Sequence, residues 1–368
     1  MTNQNLYSQF ERAFKENPAK TAFETLHGNV YSFQDLIDRS GQFANLLTAA
    51  GATPGDRVAV QVGKTVEAVI LYLACLRSGL AYLPLNTAYK SAEVEYFLGD
   101  ASPAILVCDP ADLTTLTPFA NAANVVRIFT LDGTGDGTLT QDAKTLSTDF
   151  ATIEREADDL AAILYTSGTT GRSKGAMLTH SNLSSNAKSL VKAWAFKEDD
   201  ILLHALPIFH VHGLFVALHC AFLSANTVLF LSKFDPETII KLIPRATVFM
   251  GVPTFYVRLL SAANFTKDTC ANMRLFTAGS APLLEETFNE FTARTGHVIL
   301  ERYGMSEAGM ITSNPYEGER RAGTVGFPLP DVELKITDPK TGETLPDGEI
   351  GSIEVRGPNV FKGYWQMP

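Results

Sequence analysis

The stretch Tyr165-Thr-Ser-Gly-Thr-Thr-Gly-Arg-Ser-Lys-Gly175 contains no large aliphatic side chain, although it directly follows the apolar run Leu160-Ala-Ala-Ile-Leu164. This order predicts a buried strand that leads into a loop. The glycines of the loop let backbone N–H groups turn inward, while the hydroxyl groups add donors and Lys174 adds a mobile positive charge. The loop is therefore suited to binding a polyphosphate.

The position of the lysine excludes one common class of phosphate-binding loop. A Walker loop requires Gly-Lys followed by Ser or Thr, whereas here Ser173 precedes Lys174 and Gly175 follows it. An ordinary flexible linker is the alternative interpretation. It is disfavoured because a linker has no need of a lysine held between glycines at the end of a buried strand.

The composition indicates a globular protein whose 368 residues exceed one ordinary core. The formal net charge of −10 argues against nucleic-acid binding, which requires a basic face. The four cysteines, Cys75, Cys108, Cys220 and Cys270, lie in or beside apolar runs and are expected to be reduced core residues. Because we find neither a signal peptide nor an apolar run of about eighteen residues, we expect a cytoplasmic protein with no membrane partner.

Strand-like and helix-like patterns alternate along most of the chain. Runs such as 57–62 read as buried strands and runs such as 66–76 as helices. A second alternating series follows the glycine-rich loop and begins with a helix from about Ser181. Beyond residue 326, the alternating segments 332–337 and 349–356 predict antiparallel β-structure.

These patterns predict an α/β fold with two doubly wound, mostly parallel sheets that carry helices on both faces. We expect the two α/β subdomains at about residues 1–160 and 161–325. A small β-barrel-like subdomain is expected at residues 326–368.

Two further strand ends carry groups that could bind a ligand. Leu275-Phe-Thr-Ala-Gly-Ser-Ala-Pro282 ends in small residues and a helix-opening proline, which exposes backbone groups at the carboxyl end of a strand. In Val298-Ile-Leu-Glu-Arg-Tyr-Gly-Met-Ser-Glu307, Tyr303 can stack on a base, Ser306 can donate to a phosphate and Glu307 can hold a hard cation. Because we expect a helix next, Glu307 could instead be a first-turn acid that complements the helix dipole.

Three histidines, His204, His210 and His212, lie close together in one segment. A metal site there is disfavoured, because the nearby segment offers no Cys, Asp or Glu ligand. We expect His210 to line a pocket and His204 to pack in the core. Arg258, on a helix after another strand, is expected at the surface unless an anion binds it.

Taken in order, the loop 165–175, Gly279-Ser-Ala-Pro282 and Arg302-Tyr-Gly-Met-Ser-Glu307 resemble the signature motifs of the adenylate-forming superfamily, which contains acyl-coenzyme A synthetases, luciferases and peptide-synthetase adenylation domains. The resemblance spans nearly the whole chain. Within the superfamily, the segments 81–89, 204–213 and 301–307 are similar to those of the malonyl-coenzyme A synthetases. The chain is identified as a close member of that group.

The resemblance implies a two-step reaction with malonate, ATP and coenzyme A as small-molecule substrates and with Mg²⁺. A carboxylate attacks the α-phosphate of ATP to give an acyl-adenylate and pyrophosphate, and the thiol of coenzyme A then displaces AMP. Catalytic roles are implied for Lys174, His210 and Glu307, and Mg²⁺ binding for Glu307 and Thr170. The resemblance implies that the nucleotide and cofactor are bound by Thr166, Ser167, Gly168, Thr169, Thr170, Gly171, Lys174, Gly279, Ser280, Ala281, Glu301, Arg302, Tyr303, Gly304, Met305 and Ser306.

Arg302 indicates the class of acid. Many relatives have a small or apolar residue at this position, and an arginine that faces a pocket needs an anion to offset its desolvation. The reacting carboxylate must lie at the phosphate, so Arg302 implies a second carboxylate nearby, as in malonate or methylmalonate. By similarity to the family, the diacid-binding residues are Arg258, Ser280, Arg302, His210, Val211 and Met305.

In this superfamily a ribose-binding aspartate, a hinge and a smaller C-terminal domain lie beyond a position like Pro368. We therefore expect the chain to be the large N-terminal domain, whose partner would be the C-terminal domain of the same polypeptide. We also expect weak nucleotide binding and poor turnover. Two alternatives stay open, namely adenylation of another acid, such as an aryl or fatty acid, and a non-catalytic nucleotide-binding module.

Overall fold

The structure, a computed structural model, describes residues 3–166 and 172–367. Its α-helices are Leu6–Glu16 (α1), Phe33–Ala49 (α2), Val66–Arg77 (α3), Ser91–Ala101 (α4), Leu113–Ala122 (α5), Thr138–Ala143 (α6), His180–Ala193 (α7), His219–Leu223 (α8), Pro236–Leu242 (α9), Pro253–Leu260 (α10) and Glu285–Thr295 (α11). A π-helical segment, His212–Leu218, directly precedes α8, and short 3₁₀ turns lie at Pro110–Asp112 and Ile243–Arg245.

The strands are Thr21–Thr25 (β1), Val30–Ser32 (β2), Arg57–Gln61 (β3), Ala81–Pro84 (β4), Ile105–Cys108 (β5), Arg127–Thr130 (β6), Leu160–Thr166 (β7), Lys174–Thr179 (β8), Ile201–His204 (β9), Thr227–Phe230 (β10), Val248–Gly251 (β11), Leu275–Ala278 (β12), Leu300–Met305 (β13), Gly309–Ser313 (β14), Phe327–Pro328 (β15), Glu333–Thr337 (β16) and Ser352–Arg356 (β17).

The described strands form two large sheets and one small sheet. The six-stranded sheet has the order β6-β5-β3-β4-β7-β8, and β8 is antiparallel to β7 whereas the other neighbours are parallel. The nine-stranded sheet has the order β15-β14-β13-β12-β11-β9-β10-β1-β2 and is parallel from β13 to β1. The small sheet pairs β16 with β17 in antiparallel fashion. The predicted α/β class with two mostly parallel sheets is confirmed.

The central strands are apolar because both faces of each large sheet are covered. All residues of β4, β5, β11 and β12 are buried. Strands covered on both faces read as continuous apolar runs rather than alternating ones. This explains why the sequence pattern predicted them correctly.

The chain does not pass through the two large sheets one after the other. The N-terminal hairpin β1–β2 joins the nine-stranded sheet through the parallel pair β1–β10. The later strands β7 and β8 belong to the six-stranded sheet. Each large sheet therefore contains strands from both of the predicted subdomains, 1–160 and 161–325.

The segment after the glycine-rich loop differs from its prediction. The helix expected from about Ser181 is present, but Lys174–Thr179 first returns as an unpredicted strand, β8, beside β7, with Lys174 opposite Thr166. The helix α7 then begins at His180, because the Thr179 hydroxyl accepts a hydrogen bond from the backbone N–H of Asn182 at 3.1 Å. The glycine-rich loop thus connects two antiparallel strands rather than a strand and a helix.

The segment around Glu307 also differs from its prediction. No helix follows β13; the chain turns at residues 306–308 and returns as the antiparallel strand β14. The left-handed backbone of Gly309, with φ of 56°, permits this return. The alternative interpretation of Glu307 as a first-turn helix acid is therefore wrong.

The C-terminal part of the chain lies beside β8. The backbone N–H of Met177 donates to the carbonyl of Gly363 at 3.0 Å, and the N–H of Trp365 donates to the carbonyl of Gly175 at 2.7 Å. Residues 361–365, which we call the C-terminal strap, thereby reach the base of the glycine-rich loop. Strand β15 extends the nine-stranded sheet. Beyond β15, the described residues form one antiparallel pair of strands, β16 and β17.

Two general predictions concern the whole fold. The four cysteines are buried and free, as expected for reduced core residues. Within residues 3–166 and 172–367, every helix is too short or too polar to cross a membrane.

Candidate active site

A cavity of about 470 Å³ opens where four parallel strands of the nine-stranded sheet end. Strands β9, β11, β12 and β13 all point their carboxyl ends toward it, which is the usual ligand-binding edge of an open α/β sheet. The cavity is lined by Leu206, Pro207, His210, Val211, His212, Gly213, Val252, Ser280, Arg302, Gly304, Met305, Ser306 and Met310.

Arg302 supplies the charge of this cavity. The residue is only 3% exposed, yet its Nε and Nη2 atoms have no hydrogen-bond partner among the described residues. Burial lowers the pKa of the guanidinium from 12.5 to about 10, so the side chain stays protonated at neutral pH. The described lining contains no Asp or Glu. A buried cation therefore faces the cavity without a protein carboxylate to neutralise it.

Gly279 provides the space that Arg302 occupies. A Cβ atom built on Gly279 would lie 2.7 Å from Nε of Arg302 and would overlap the rest of the guanidinium. The guanidinium therefore lies directly against the backbone at the end of β12. Any side chain at position 279 would displace it.

Glu301, the neighbour of Arg302, does not neutralise it. Successive side chains of a strand point to opposite faces, and the Glu301 carboxylate accepts a hydrogen bond from the backbone N–H of Gly323 at 3.0 Å. Burial raises the pKa of Glu301. This carboxylate is absent from the cavity lining, so its proposed contact with the nucleotide stays a prediction.

Two histidines and a serine also line the cavity. His212 is buried, and its Nδ1 atom lies 3.4 Å from the hydroxyl of Ser280. Burial, with a further contribution from Arg302, lowers the pKa of His212 well below its ordinary value, so the imidazole is neutral. Burial also lowers the pKa of His210. Both rings can exchange hydrogen bonds with a bound acid without adding charge.

His204 is not part of the cavity lining. The residue is buried, its Nε2 lies 2.9 Å from the carbonyl of Gly213, and its Nδ1 lies 2.7 Å from Nζ of Lys64. The expectation that His204 packs in the core is confirmed. No group of three or more His, Cys, Asp or Glu side chains in the described ranges could hold a metal ion.

A second cluster joins the two ends of the glycine-rich loop to Glu307. Thr166 and Lys174 face each other across β7 and β8. The Thr166 hydroxyl donates to Oε1 of Glu307 at 3.4 Å, and the Tyr364 hydroxyl donates to the same oxygen at 3.0 Å. Because Ser306 lines the cavity and Glu307 follows it, the cavity and the base of the loop are adjacent.

Some predicted residues are not brought into the cavity lining. Arg258 is exposed on α10, and its guanidinium lies 4.8 Å from the ring centroid of Phe234. Ala281 is exposed and Tyr303 is half-buried on β13, and neither lines the cavity. The binding roles of these residues stay predictions. The remaining predicted loop residues, Ser167, Gly168, Thr169, Thr170 and Gly171, lie outside the described residues.

The sequence interpretation missed two residues of the site. His212 was given no role, although it lies in the same segment as His210. Tyr364 was not singled out, because no local pattern connects it with Glu307. The sequence alone offered a signal for the first residue but none for the second.

Comparison with known proteins identifies the family to which the chain belongs. The sequence profile described as "AMP-binding enzyme" matches residues 10–365. The chain belongs to the AMP-binding enzyme family. It is 31% identical over 94% of its length to the mitochondrial malonate–CoA ligase ACSF3 of Xenopus laevis, and 34% identical over 91% to a malonate–CoA ligase of Arabidopsis thaliana. It spans 66% and 58% of those two proteins.

A solved member of the family has the same fold as this chain. The crystal structure of ATP-bound MatB from Rhodopseudomonas palustris matches with a TM-score of 0.97 and 55% identity. The match covers 100% of this chain and 73% of that one. Because the Xenopus relative is named as mitochondrial, a cytoplasmic location of this AMP-binding family member stays a prediction.

Proposed function

We propose that this AMP-binding enzyme joins malonate to coenzyme A at the expense of ATP, through a malonyl-adenylate, giving malonyl-coenzyme A, AMP and pyrophosphate. The observation that carries the proposal is the buried guanidinium of Arg302, which faces the cavity without a described acidic partner. Removing a charge from water without a partner is costly. A ligand that brings a second carboxylate would offset that cost. Malonate is the smallest diacid with a carbon atom between its two carboxylates, so one can react while the other contacts Arg302.

In the first step, one carboxylate of malonate attacks the α-phosphate of ATP. A bond forms between a carboxylate oxygen and phosphorus, and the bond to the β-phosphate oxygen breaks, so pyrophosphate leaves. In this proposal Arg302 holds the second carboxylate. His210 and Ser306, which line the same cavity, contact the reacting carboxylate and the α-phosphate. The protein's contribution is placement and charge neutralisation.

Glu307 and Lys174 act on the phosphates in this proposal. Both lie at the base of the glycine-rich loop, Glu307 through its bond from Thr166 and Lys174 at the start of β8. A single carboxylate fits Mg²⁺, which usually takes its other ligands from phosphate oxygens and water. Such an ion would neutralise charge on the departing pyrophosphate.

In the second step, the thiol of coenzyme A attacks the acyl carbon of the adenylate, and AMP leaves with the bonding electrons of the acyl–oxygen bond. The names of the Xenopus and Arabidopsis relatives support the choice of malonate. ATP in the solved MatB structure supports the choice of nucleotide. Methylmalonate is a further candidate, because Val211 and Met305 line the cavity beside Arg302 and would border a methyl group.

The test is acid-dependent pyrophosphate release from ATP across a panel of acids. We expect malonate to be used, and acetate, propionate and an aryl acid such as benzoate to be used at least ten times less efficiently, because one charge-assisted contact is worth about 1.5–3 kcal/mol. Equal use of acetate and malonate would overturn the choice of acid. Release with benzoate alone would favour the aryl-acid alternative. ATP binding without release with any acid would favour a nucleotide-binding module.

A further inference from the structure

The C-terminal strap is fixed in place by contacts that do not involve the side chain of Tyr364. Its backbone follows β8, with an isolated bridge between Ala176 and Tyr364. The indole N–H of Trp365 donates to the carbonyl of Asp100 at 3.1 Å, and the guanidinium of Arg57 lies 5.2 Å from the Trp365 ring centroid. The backbone that carries Tyr364 is therefore held by β8 and by the contacts of Trp365.

Tyr364 contacts both charged residues that the proposed function assigns to the phosphates. Its hydroxyl donates to Oε1 of Glu307 at 3.0 Å, and its ring centroid lies 5.2 Å from Nζ of Lys174. Burial, followed by Glu307 itself, raises the pKa of the Tyr364 hydroxyl. The hydroxyl therefore keeps its proton at neutral pH and remains a donor.

The two oxygens of the Glu307 carboxylate have different surroundings. Oε1 accepts hydrogen bonds from Tyr364 and from Thr166. For Oε2, we find neither a hydrogen bond nor an ion pair to any residue that the structure describes. A free carboxylate rotates easily about its last torsion. The bond from Tyr364 limits this rotation and leaves Oε2 as the free oxygen.

We propose that Tyr364 is a positioning residue that orients the Glu307 carboxylate so that Oε2 can bind the Mg²⁺ accompanying ATP. The inference rests on the proposed function, because the ion would arrive with the nucleotide. Outer hydrogen bonds that orient a metal-binding carboxylate commonly affect metal affinity. Tyr364 touches no substrate in this arrangement and acts through Glu307.

The test measures ATP binding to the 368-residue chain by calorimetry over a series of Mg²⁺ concentrations. Tyr364→Phe keeps the ring and its contact with Lys174 but removes the hydroxyl. We expect the Mg²⁺ concentration for half-maximal ATP binding to rise about three- to tenfold, the effect of losing one hydrogen bond. ATP binding in the presence of EDTA should be unchanged. A purely structural role would weaken both kinds of binding together.

The chain offers a matched control in Tyr31, whose hydroxyl donates to Oε1 of Glu67 at 3.0 Å, away from the cavity. Tyr31→Phe removes the same kind of bond and should leave the Mg²⁺ midpoint unchanged. An unchanged midpoint in Tyr364→Phe, together with a raised midpoint in Glu307→Gln, would overturn the role of Tyr364 and leave the proposed function intact. Absence of Mg²⁺-dependent ATP binding in the unmodified chain would overturn both.

Discussion

The guanidinium of Arg302 lies against the backbone of Gly279, where the carboxyl ends of two neighbouring parallel strands meet. Arg302 has no described acidic partner, so the fit against Gly279 determines where its positive charge lies in the cavity. A change at either residue tests whether this charge selects the acid. The two changes have different physical consequences.

Gly279→Ala should move the charge without removing it. The new Cβ would overlap the guanidinium, which lies at the end of a flexible side chain and would shift. We expect the KM for malonate to rise about tenfold, because a displaced guanidinium loses one charge-assisted contact. Steady-state pyrophosphate release with malonate as the varied substrate measures this.

Gly99→Ala is the control for this substitution. Gly99 lies in helix α4, and a Cβ built there meets no atom within 4 Å. The KM for malonate should stay at its original value in Gly99→Ala. If Gly279→Ala also left it unchanged, the shape of the site would not depend on the contact between Gly279 and Arg302.

Arg302→Ala should remove selectivity for diacids. The substitution deletes the buried charge, so the second carboxylate of malonate would enter the cavity without a partner. We expect the efficiency with malonate to fall ten- to a hundredfold, as for the loss of one charge-assisted contact, and that with propionate to rise. Pyrophosphate release with each acid gives the ratio.

The affinity for ATP distinguishes a loss of acid binding in Arg302→Ala from a general disruption of the active site. It should change less than the malonate efficiency, since Arg302 lies at the acid end of the cavity in our proposal. Arg245→Ala, which removes an exposed arginine paired with Glu24, is the matched control. Malonate-dependent release that survives unchanged in Arg302→Ala would refute the assignment of the acid.

Much of the fold was predictable from the sequence because buried parallel strands leave a direct pattern. Strands such as β5 and β12 are continuous apolar runs bounded by turn residues. Strand β8 was missed because only the four residues Ala176-Met-Leu-Thr179 separate the polar loop from the next helix. Such a short run acquires its structure from its partners, β7 and the C-terminal strap.

In the site, too, features that depend on one residue could be inferred from the sequence, whereas contacts between residues far apart in the chain could not. The need of Arg302 for an anion was inferred from a local argument about an arginine that faces a pocket. The bond from Tyr364 to Glu307 joins residues 57 positions apart, and the contact between Ser280 and His212 joins residues 68 apart. Neither contact has a periodic pattern, because both depend on how the loops at the strand ends fold together.

The last prediction concerns stability and uses His180, a buried residue outside the cavity. Its Nδ1 accepts a hydrogen bond from the backbone N–H of Leu6 at 3.1 Å. Burial, and then the nearby Arg155, lower the pKa of His180 from 6.5 to about 4 in the folded protein. Between these two values the unfolded chain binds more protons than the folded one. The free energy of unfolding should therefore fall as the pH is lowered from about 6.5 to about 4.

His180→Asn isolates this contribution, because Oδ1 of asparagine can replace Nδ1 as the acceptor for Leu6 but does not titrate in this range. Urea unfolding at pH 7 and at pH 5 measures the change in free energy for each variant. Because only the interval below pH 6.5 contributes, the fall between pH 7 and pH 5 should be smaller in His180→Asn by about 2 kcal/mol. His27→Asn, at an exposed histidine, should keep the original fall. If His180→Asn kept it too, proton uptake by His180 would not contribute to acid unfolding.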